Sequence, residues 1–578
     1  MRKFLCINKK KVPKEKKDAD FLIPDKTSSV SSDATTATIV TPSLASDLEK
    51  LNLTKDRLNR YIDEAKESGY VDAKSRAEAA ALRENEISKA FINIERSLAV
   101  DLCFVLDCTH SMKHHLAAAK DCILQVANYV ENINPRIQPR VGFCGYRDHF
   151  DPQNRLQIFS FTNSYEEFSR DLANVRTLSG KDIPEDVLGG LDAAVEQMAW
   201  GCGTRILFHI GDAPPHGRRF TEEQDKYPDG DPHGLTAESV LNRMQEKNII
   251  YFFGKVTSCT DKMIEVFNSI IGEFPVFDLV GGDPTALIDK FVKASFSAIA
   301  SSVTLTSSLG VDSKEIYSLR RKKLELNTEE PDWTKCSLHR GVILRHRYPI
   351  DLSEIKDHQF FDKSHLVSQD FYFMMAAQPF SAGTEKCAYF GLDANTTRAE
   401  KIVLKEYFST HESNPIEDYL TAVEVSAIAR YLSAVYNMRT RKMVKKVRFL
   451  EANLLRSTID YKTQYYTTEP RLQGAEFKRF NVNSGMIVEL HPSLEAFAHF
   501  TYVYTKKYLV VYDLQGIELD DQFILTDPAI HCVDPLRFGK TNLGSRGISE
   551  CFLANHQCNY ICERLGLSSE SGGCCNMF

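Results

Sequence analysis

Polar side chains follow two apolar runs of this sequence, with the types and spacing of a cation site. Asp107, Thr109 and Ser111 alternate with other residues directly after CFVLD, and Asp212 closes the run TRILFHIGD. Carboxylate and hydroxyl oxygens are the ligands that Mg²⁺ takes, and the carboxyl ends of parallel strands meet at one edge of a sheet. The pattern predicts a magnesium site, with aspartates that only cap turns as the alternative.

A second group of side chains has the parts of a phosphoryl-transfer site. Lys405 lies in the strand-like run KIVLKEYF, YDLQG carries Asp513 and Gln515, and LTDPAIH carries Asp527. Phosphoryl transfer needs a cation on the nucleotide phosphates, oxygen ligands for a metal, and a residue that orients the attacking hydroxyl. The conventional kinase motifs H-R-D, D-F-G and V-A-I-K are absent from the sequence. Any kinase activity must therefore rest on catalytic residues other than those of the conventional kinase motifs.

A third group lies near the end of the chain, where HQCNYIC supplies His556, Cys558 and Cys562. The two cysteines are four residues apart, which places them on one face of a helix. Structural Zn²⁺ is bound tetrahedrally by Cys and His, so three residues require a fourth. From spacing alone, a zinc site and a set of buried free thiols remain open.

The composition is that of a globular protein with more than one domain. A chain of 578 residues exceeds the size of a single hydrophobic core. The net charge of -7 gives no reason to expect nucleic-acid binding. Fifteen cysteines scattered singly, without a secretory signal, favour a reducing, cytoplasmic compartment. No run approaches the 18 apolar residues that indicate a membrane span.

Changes in composition and in the spacing of apolar residues divide the chain into six segments. Apolar runs that alternate with amphipathic stretches predict βαβ units and a mostly parallel, doubly wound α/β sheet. The residue pattern of the later half is typical of an α+β domain, with a helix near Pro415–Met438 and strands from Tyr502 to Leu514. The predicted segments are a basic, disordered tail at 1–43, a helical segment at 44–97, the doubly wound domain at 98–300, a linker at 301–336, the α+β domain at 337–568 and a flexible tail at 569–578.

The doubly wound domain resembles the von Willebrand factor A domain. That family binds a metal through Asp-x-Ser-x-Ser, a Thr from a second loop and an Asp from a third. Asp107, Thr109 and Ser111 match the first motif, with Thr109 in place of the first Ser, and Asp212 matches the third loop. In the second loop, Asp182 stands where the family usually has Thr. The resemblance implies that these five residues bind Mg²⁺ and that the domain recruits a protein ligand.

From about Pro379 to Leu567 the chain resembles the alpha-kinase family, which includes the myosin heavy chain kinases and elongation factor 2 kinase. The motifs that carry the resemblance are PFSAGTEKCAYF, TEPRLQG, AFAHFTYVYTKKYLVVYDLQG and FGKTNLGSRG. It implies a two-lobed domain that transfers the γ-phosphoryl group of ATP to Ser or Thr of a protein substrate. The Gly-rich FGKTNLGSRG would shape the peptide-substrate site.

The alpha-kinase resemblance also implies roles for individual residues. Lys386 stands where the family generally has Arg. The lysine keeps the positive charge but cannot donate the two parallel hydrogen bonds of a guanidinium. The implied roles are ATP binding by Gly383, Lys386, Lys405 and, at the adenine, Glu469, catalysis by Asp513, and Mg²⁺ binding by Gln515 and Asp527.

The same resemblance supplies His499, from AFAHFTY, as a fourth zinc ligand. With His556, Cys558 and Cys562 it implies a structural zinc module that ties the C-terminal helix to the catalytic core. The two domains together resemble the alpha-kinases that carry an A domain. We therefore predict a Ser/Thr protein kinase whose A domain recruits a substrate or regulator. An inactive scaffold that acts through the A domain is the alternative.

The last four residues place Cys575 in the C-a-a-X arrangement that prenyl transferases modify, and Phe578 favours a geranylgeranyl group. One lipid chain anchors weakly, so a second signal is needed. The basic N-terminal run with Cys6 is a candidate for that signal. We predict a cytoplasmic protein with peripheral membrane contact through Cys575. The alternative is a cysteine that stands in the tail by chance.

Overall fold

The computed structural model describes residues 73–567, except for short gaps at 134–135, 179–181, 202, 280–283, 310–325, 384, 396–398, 409–414, 442 and 460–461. The predicted tails at 1–43 and 569–578, with Cys575, lie outside these residues. The helical segment predicted at 44–97 is described from Ala73, where helix α1 (Ala73–Ser97) begins.

The first domain is built on a six-stranded sheet in the order β3-β2-β1-β4-β5-β6. All neighbouring strands pair in parallel except β3, which is antiparallel to β2. The mostly parallel sheet predicted from the apolar runs is thus confirmed. The strands are β1 Ala99–Asp107, β2 Gln138–Tyr146, β3 Leu156–Thr162, β4 Thr204–Gly211, β5 Ile249–Lys255 and β6 Val276–Asp278.

Helices cover both faces of this sheet, as the burial of its central strands on both sides requires. Residues of α1, α2, α3 and α7 join the core on one face, and residues of α4, α5 and α6 join the core on the other. The bounds are α2 Leu116–Ile133, α3 Tyr165–Ala173, α4 Val187–Glu196, α5 Ala237–Glu246, α6 Asp261–Ile271 and α7 Pro284–Leu309.

Helix α7 corrects the predicted domain boundary. The linker was expected to begin at 301, but α7 continues to Leu309 without interruption. Ile299 and Val303 are completely buried in the core of the first domain. The Ser/Thr-rich composition of 301–309 is typical of a linker, yet the apolar residues of this segment keep the helical period and pack inward.

The second domain begins with antiparallel strands in the order β11-β14-β13-β7-β8-β10-β9. Strand β10 also pairs with β11, so the sheet closes on itself. The strands are β7 Leu338–Arg345, β8 Val367–Met375, β9 Ser381–Ala382, β10 Lys386–Asp393, β11 Glu400–Tyr407, β13 Asn453–Ile459 and β14 Lys462–Pro470.

A long helix, α9 (Pro415–Thr440), connects this closed sheet to the rest of the domain. Near its start, Tyr419 packs with Leu454 of β13, and further along, Leu432 joins the core of a second sheet. That sheet has the order β12-β18-β17-β15, and β16 and β19 pair beside it. The remaining elements are α8 Leu352–Lys356, β12 Lys446–Phe449, β15 Phe477–Arg479, α10 Pro492–Tyr504, β16 Leu509–Tyr512, β17 Gln515–Glu518, β18 Gln522–Thr526, β19 Ala529–Cys532 and α11 Tyr560–Arg564, with short helical turns at Gly544–Arg546 and Gly547–Leu553.

One predicted strand was placed too early. Strands were expected from Tyr502 to Leu514, but Tyr502 belongs to α10, and the strand begins at Leu509. Helix α10 is apolar on nearly all sides because it is buried, and such a segment has no helical period to recognise.

Helix α1 joins the two domains. Its Ile87 and Phe91 pack in the same core as Leu543 and Cys551 of the second domain. The guanidinium of Arg546 lies 4.0 Å from the centre of the Phe91 ring. The core of the first domain thus continues into the second through this helix. In the described part of the chain, no helix is long and apolar enough to cross a membrane.

Candidate functional site

Two lysines and a carboxylate meet where the closed sheet faces the second sheet. Lys405 of β11 lies with its Nζ 2.5 Å from Oδ2 of Asp527, and Lys386 of β10 lies with its Nζ 3.3 Å from Oδ1 of the same residue. Burial would raise the pKa of Asp527, but the two ammonium groups outweigh it and hold the pKa well below its usual range. Sequence residues 141 positions apart thereby form one charged centre.

Lys405 is fixed from a second side by Glu469 of β14. The two form an ion pair, and both carboxylate oxygens of Glu469 accept a hydrogen bond from the Thr526 hydroxyl, at 2.8 and 2.6 Å. The resemblance implied an adenine contact for Glu469, whereas its carboxylate is buried against Lys405 and Thr526. In the structure this carboxylate holds the Lys405 ammonium through their ion pair. Thr526 has no sequence signal beyond its place next to Asp527.

Asp513 and Gln515 complete the centre from the start of β17. The amide Nε2 of Gln515 donates to the backbone carbonyl of Asp527 at 3.3 Å, and its Oε1 accepts from Arg479 at 3.1 Å. Burial raises the pKa of Asp513 to about 6, against the nearby Arg479 charge that lowers it. Oδ1 of Asp513 is buried without a hydrogen-bond partner among the described residues. Arg479 was not anticipated from the sequence.

Both aspartates have strained backbones. The φ angle is 54° at Asp513 and 44° at Asp527, in the left-handed region that residues other than glycine rarely adopt. Such strain persists only where surrounding structure enforces it, and it is concentrated at functional sites. Gly516, at the start of β17, has no room for a side chain. A Cβ at this position would come within 2.1 Å of the Ile524 carbonyl oxygen in the neighbouring strand.

The predicted phosphate loop lies at the edge of this centre. Gly383 follows β9, and its N–H donates to the carbonyl of Lys386 at 2.8 Å, which closes a tight turn. The side chain of Lys386 leaves that turn toward Asp527, and its ammonium also lies 4.6 Å from the centre of the Tyr407 ring. The loop backbone is thus next to the two lysines, where nucleotide phosphates would need it.

The expected cation site of the first domain assembles at the carboxyl ends of β1 and β4. The Thr109 hydroxyl donates to Oδ1 of Asp107 at 2.6 Å and lies 3.0 Å from the Ser111 hydroxyl. Ser111 in turn donates to Oδ1 of Asp212 at 3.0 Å. The second carboxylate oxygen of Asp107 is buried without a hydrogen-bond partner in the described part of the chain.

The structure replaces the predicted second-loop residue. Asp182 accepts the backbone N–H of Lys226 at 2.7 Å and groups with His216 and Asp225. Glu185, three residues later, is the buried carboxylate that faces Asp107 and Asp212. Burial and these neighbouring charges raise the pKa of Glu185 to about 11. No sequence motif marks Glu185, because its alignment to the family's Thr depends on how the loop folds.

Three buried carboxylates thus converge, and in the described part of the chain none of them forms an ion pair with a lysine or an arginine. Burial and the charge of Asp212 raise the pKa of Asp107, which shows how unfavourable the arrangement is in the absence of a cation. A divalent cation supplies the missing charge, and the carboxylate and hydroxyl oxygens of the group are the ligands that Mg²⁺ takes. The residues present fit the ion.

The four predicted zinc ligands come together between α10 and α11. Nδ1 of His499 lies 3.1 Å from Nε2 of His556 and 3.6 Å from Sγ of Cys558, and Sγ of Cys562 lies 3.8 Å from Nε2 of His556. Tetrahedral bonds of about 2.0 Å to nitrogen and 2.3 Å to sulfur separate ligand atoms by roughly 3.3–3.8 Å. Glu495 faces the other nitrogen of His556 at 3.2 Å. This carboxylate–histidine arrangement orients metal ligands.

Comparisons with known proteins agree with this layout. Residues 381–562 match the Alpha-kinase family, and residues 101–226 match the von Willebrand factor A domain. Alpha-protein kinase vwkA of Dictyostelium discoideum is 29% identical over 517 residues, which cover 86% of this chain and 81% of that protein. Myosin heavy chain kinase B of Dictyostelium discoideum is 32% identical over 193 residues, but these cover 33% of this chain and only 25% of that kinase. A solved alpha-kinase structure from Entamoeba histolytica is 30% identical, with 40% of this chain and 91% of that chain covered and a TM-score of 0.34.

The matched segments coincide with the two domains of the fold. The first begins in β1 and ends in the loop after β4, and the second extends from β9 to Cys562. The two-lysine centre lies within the second segment. The chain therefore carries a von Willebrand factor A domain ahead of an alpha-kinase domain.

Proposed function

We propose that the second domain transfers the γ-phosphoryl group of ATP to Ser or Thr side chains of a protein substrate. The observation that carries this proposal is the convergence of Lys386, Lys405 and Asp527 beside the strained Asp513. Phosphoryl transfer depends almost entirely on positioning and on stabilisation of charge, and this group provides both.

Different residues of the centre have different roles in phosphoryl transfer. Lys386 and Lys405 bind the nucleotide phosphates, and Glu469 keeps the Lys405 ammonium in place through their ion pair. Gln515 and Asp527 would hold Mg²⁺, which neutralises phosphate charge when bound. Asp513 orients the substrate hydroxyl and accepts its proton, since a buried carboxylate with a raised pKa is a stronger base than an exposed one.

A phosphorylation assay on the full chain tests this proposal. Asp513→Ala should abolish incorporation of labelled phosphate from ATP into a generic basic peptide. The matched control is Asp520→Ala, which removes an exposed carboxylate in the next turn and should retain wild-type turnover. Near-normal activity of Asp513→Ala, or a wild type without activity, would contradict the assignment. The latter result would favour the scaffold alternative.

The zinc module is proposed as a structural part of the kinase domain. All four ligands come from the protein, so the site has no open position for chemistry. Its place between α10 and α11 supports a role in holding the C-terminal helix on the buried α10.

For the A domain we propose a Mg²⁺ site formed by Asp107, Thr109, Ser111, Asp212 and Glu185, through which a protein ligand is recruited. The unbalanced carboxylates support the ion. Asp107→Ala should weaken capture of that ligand while phosphorylation of a generic peptide stays unchanged. Membrane association through Cys575 stays a prediction, which fractionation of wild-type and Cys575→Ser cells would test.

A further inference from the structure

A second group of metal-ligand side chains lies in the A domain, apart from the Asp107 group. It consists of His149, which follows β2, Asp186, which caps α4, and Asp231, in the loop between β4 and α5. Nε2 of His149 lies 3.5 Å from Oδ1 of Asp186 and 3.3 Å from Oδ2 of Asp231. We propose that these three residues, with a water molecule as the fourth ligand, bind Zn²⁺ and that the ion fixes the loop at 212–236.

The three side chains of this group are almost completely buried, which is unusual for ionisable residues that cluster by chance. The exposed fractions of the three side chains are 2%, 0% and 3%. Neither ring nitrogen of His149 has a hydrogen-bond partner among the described residues, nor has Oδ2 of Asp231. Buried polar atoms are almost always paired, because an unpaired one costs about 1–3 kcal/mol. A metal ion between them would use these atoms.

The spacing fits a tetrahedral ion. Bonds of about 2.0–2.2 Å from Zn²⁺ to histidine nitrogen and carboxylate oxygen separate neighbouring ligand atoms by roughly 3.4 Å. The two distances from the His149 nitrogen fall at that value. The His149 ring is too poorly aligned with either carboxylate oxygen for a hydrogen bond. A histidine with two carboxylates suits Zn²⁺ better than Mg²⁺, which prefers oxygen alone.

Neighbouring groups hold the carboxylates in place. Asp186 accepts the N–H of Gly189 at 2.9 Å and pairs with Arg155 at 2.9 Å. Asp231 accepts the N–H of His233 at 2.7 Å with its other oxygen, which directs Oδ2 toward His149. Orientation of this kind by a surrounding shell is typical of metal ligands.

An adjacent cluster provides a contrast. The His216 ring lies 5.2 Å from the His149 ring, but both of its nitrogens have carboxylate partners, Asp225 at 2.6 Å and Asp148 at 3.3 Å. Asp225 also accepts the N–H of Gly217 at 2.6 Å. Both ring nitrogens of His216 therefore have hydrogen-bond partners, whereas those of His149 have none among the described residues.

The proposed ion has a clear structural task. Residues 212–236 form no helix or strand, and a structureless loop of that length is uncommon in a compact domain. The loop begins at Asp212 of the proposed Mg²⁺ site, and Asp186 directly follows Glu185. Zinc at His149 would tie this loop to the ends of β2 and α4, and so would hold the edge of the sheet where a protein ligand binds.

The test compares two buried aspartates of the same loop in the full chain, purified with excess Mg²⁺. Asp231→Asn should contain one zinc fewer per chain by elemental analysis than Asp225→Asn, which should match the wild type. The difference does not depend on whether the kinase domain also holds zinc. Hydrogen exchange at 212–236 should increase in Asp231→Asn only.

Cobalt substitution provides a second measurement. The difference spectrum between the cobalt forms of Asp225→Asn and Asp231→Asn should show a tetrahedral ligand-field band without thiolate charge transfer, because the kinase-domain cluster contributes equally to both. Absence of that band from the difference spectrum would overturn the proposal. Equal zinc content in the two aspartate variants would also overturn it, and would leave a plain ion pair between His149 and its two carboxylates.

Discussion

The guanidinium of Arg83, in the helix that precedes the A domain, lies 3.0 Å from the backbone carbonyl oxygen of Asn542 in the Gly-rich loop of the kinase domain. The same Nη2 also approaches the carbonyl oxygens of Gly539 and Lys540, at 3.3 and 3.0 Å. One side chain of the A-domain half therefore binds three backbone carbonyl groups of the loop that is expected to shape the peptide site.

Arg83→Ala should lower the free energy of unfolding by about 2 kcal/mol, because hydrogen bonds to a charged group are worth roughly 1.5–3 kcal/mol. Arg83 is only 14% exposed, so solvent does not replace these bonds. The control is Arg76→Ala on the same helix. Its ion pair with Asp534 is 52% exposed on the arginine side, and such pairs contribute about 0.2–1 kcal/mol. Urea denaturation measures both, and equal losses would contradict the difference.

Lys405→Ala should reduce kcat by about 100-fold or more, the usual effect of removing one group that stabilises transition-state charge. The fold should survive, since the strand keeps its backbone pairing. Lys401→Ala is the matched control: it removes a lysine from the same strand, where the side chain is 41% exposed and pairs with Glu330 outside the centre. Steady-state kinetics with ATP decides between them, and a similar kcat in both variants would exclude the proposed role.

Cys558→Ala should release zinc and unfold the kinase domain, because structural Zn²⁺ contributes about 10–16 kcal/mol in small zinc-binding folds. The control is Cys532→Ala, which removes a completely buried thiol outside the cluster and should cost only about 1 kcal/mol. Elemental analysis and circular dichroism measure the two effects. A zinc-free wild type that is fully folded would refute the structural role.

Acidification should destabilise the A domain through His209. This histidine is buried between the hydroxyls of Tyr146 and Tyr251, at 2.9 and 2.8 Å, and burial lowers its pKa to about 3. In the unfolded chain a histidine takes up a proton near pH 6.5, so the unfolded state binds more protons as the pH falls below that value. Stability is therefore lost from about pH 6.5 downward, by roughly 2 kcal/mol at pH 5.

The comparison of His209→Gln with the wild type at pH 7 and pH 5 measures this effect by chemical denaturation. The difference between the two pH values, not the absolute stability, is the relevant quantity. Substitution of the exposed His114 by Gln should keep the wild-type difference. A His209→Gln variant with an unchanged pH dependence would show that other groups cause the acid sensitivity.

The sequence by itself determined the elements and the first ligands of each site. Apolar runs such as CFVLD became the buried parallel strands, because burial on both faces leaves a continuous apolar signature. Asp107 and Asp212 met at one sheet edge because parallel topology brings strand ends together. The resemblance to known motifs supplied His499, which lies 57 residues from His556 yet within 3.1 Å of it.

Only the tertiary structure decided which side chains complete the sites. Glu185 rather than Asp182 faces Asp107, and Glu469 turns to Lys405, because loop path and strand register set where a carboxylate points. The sequence does not reveal helix α10, because a segment buried on all sides loses the periodicity on which sequence patterns depend. At the end of α7 the Ser/Thr-rich composition hides a helix whose apolar residues still face the core. The contact of Arg83 with the Gly-rich loop joins residues more than 450 positions apart, and no local sequence pattern predicts such a contact.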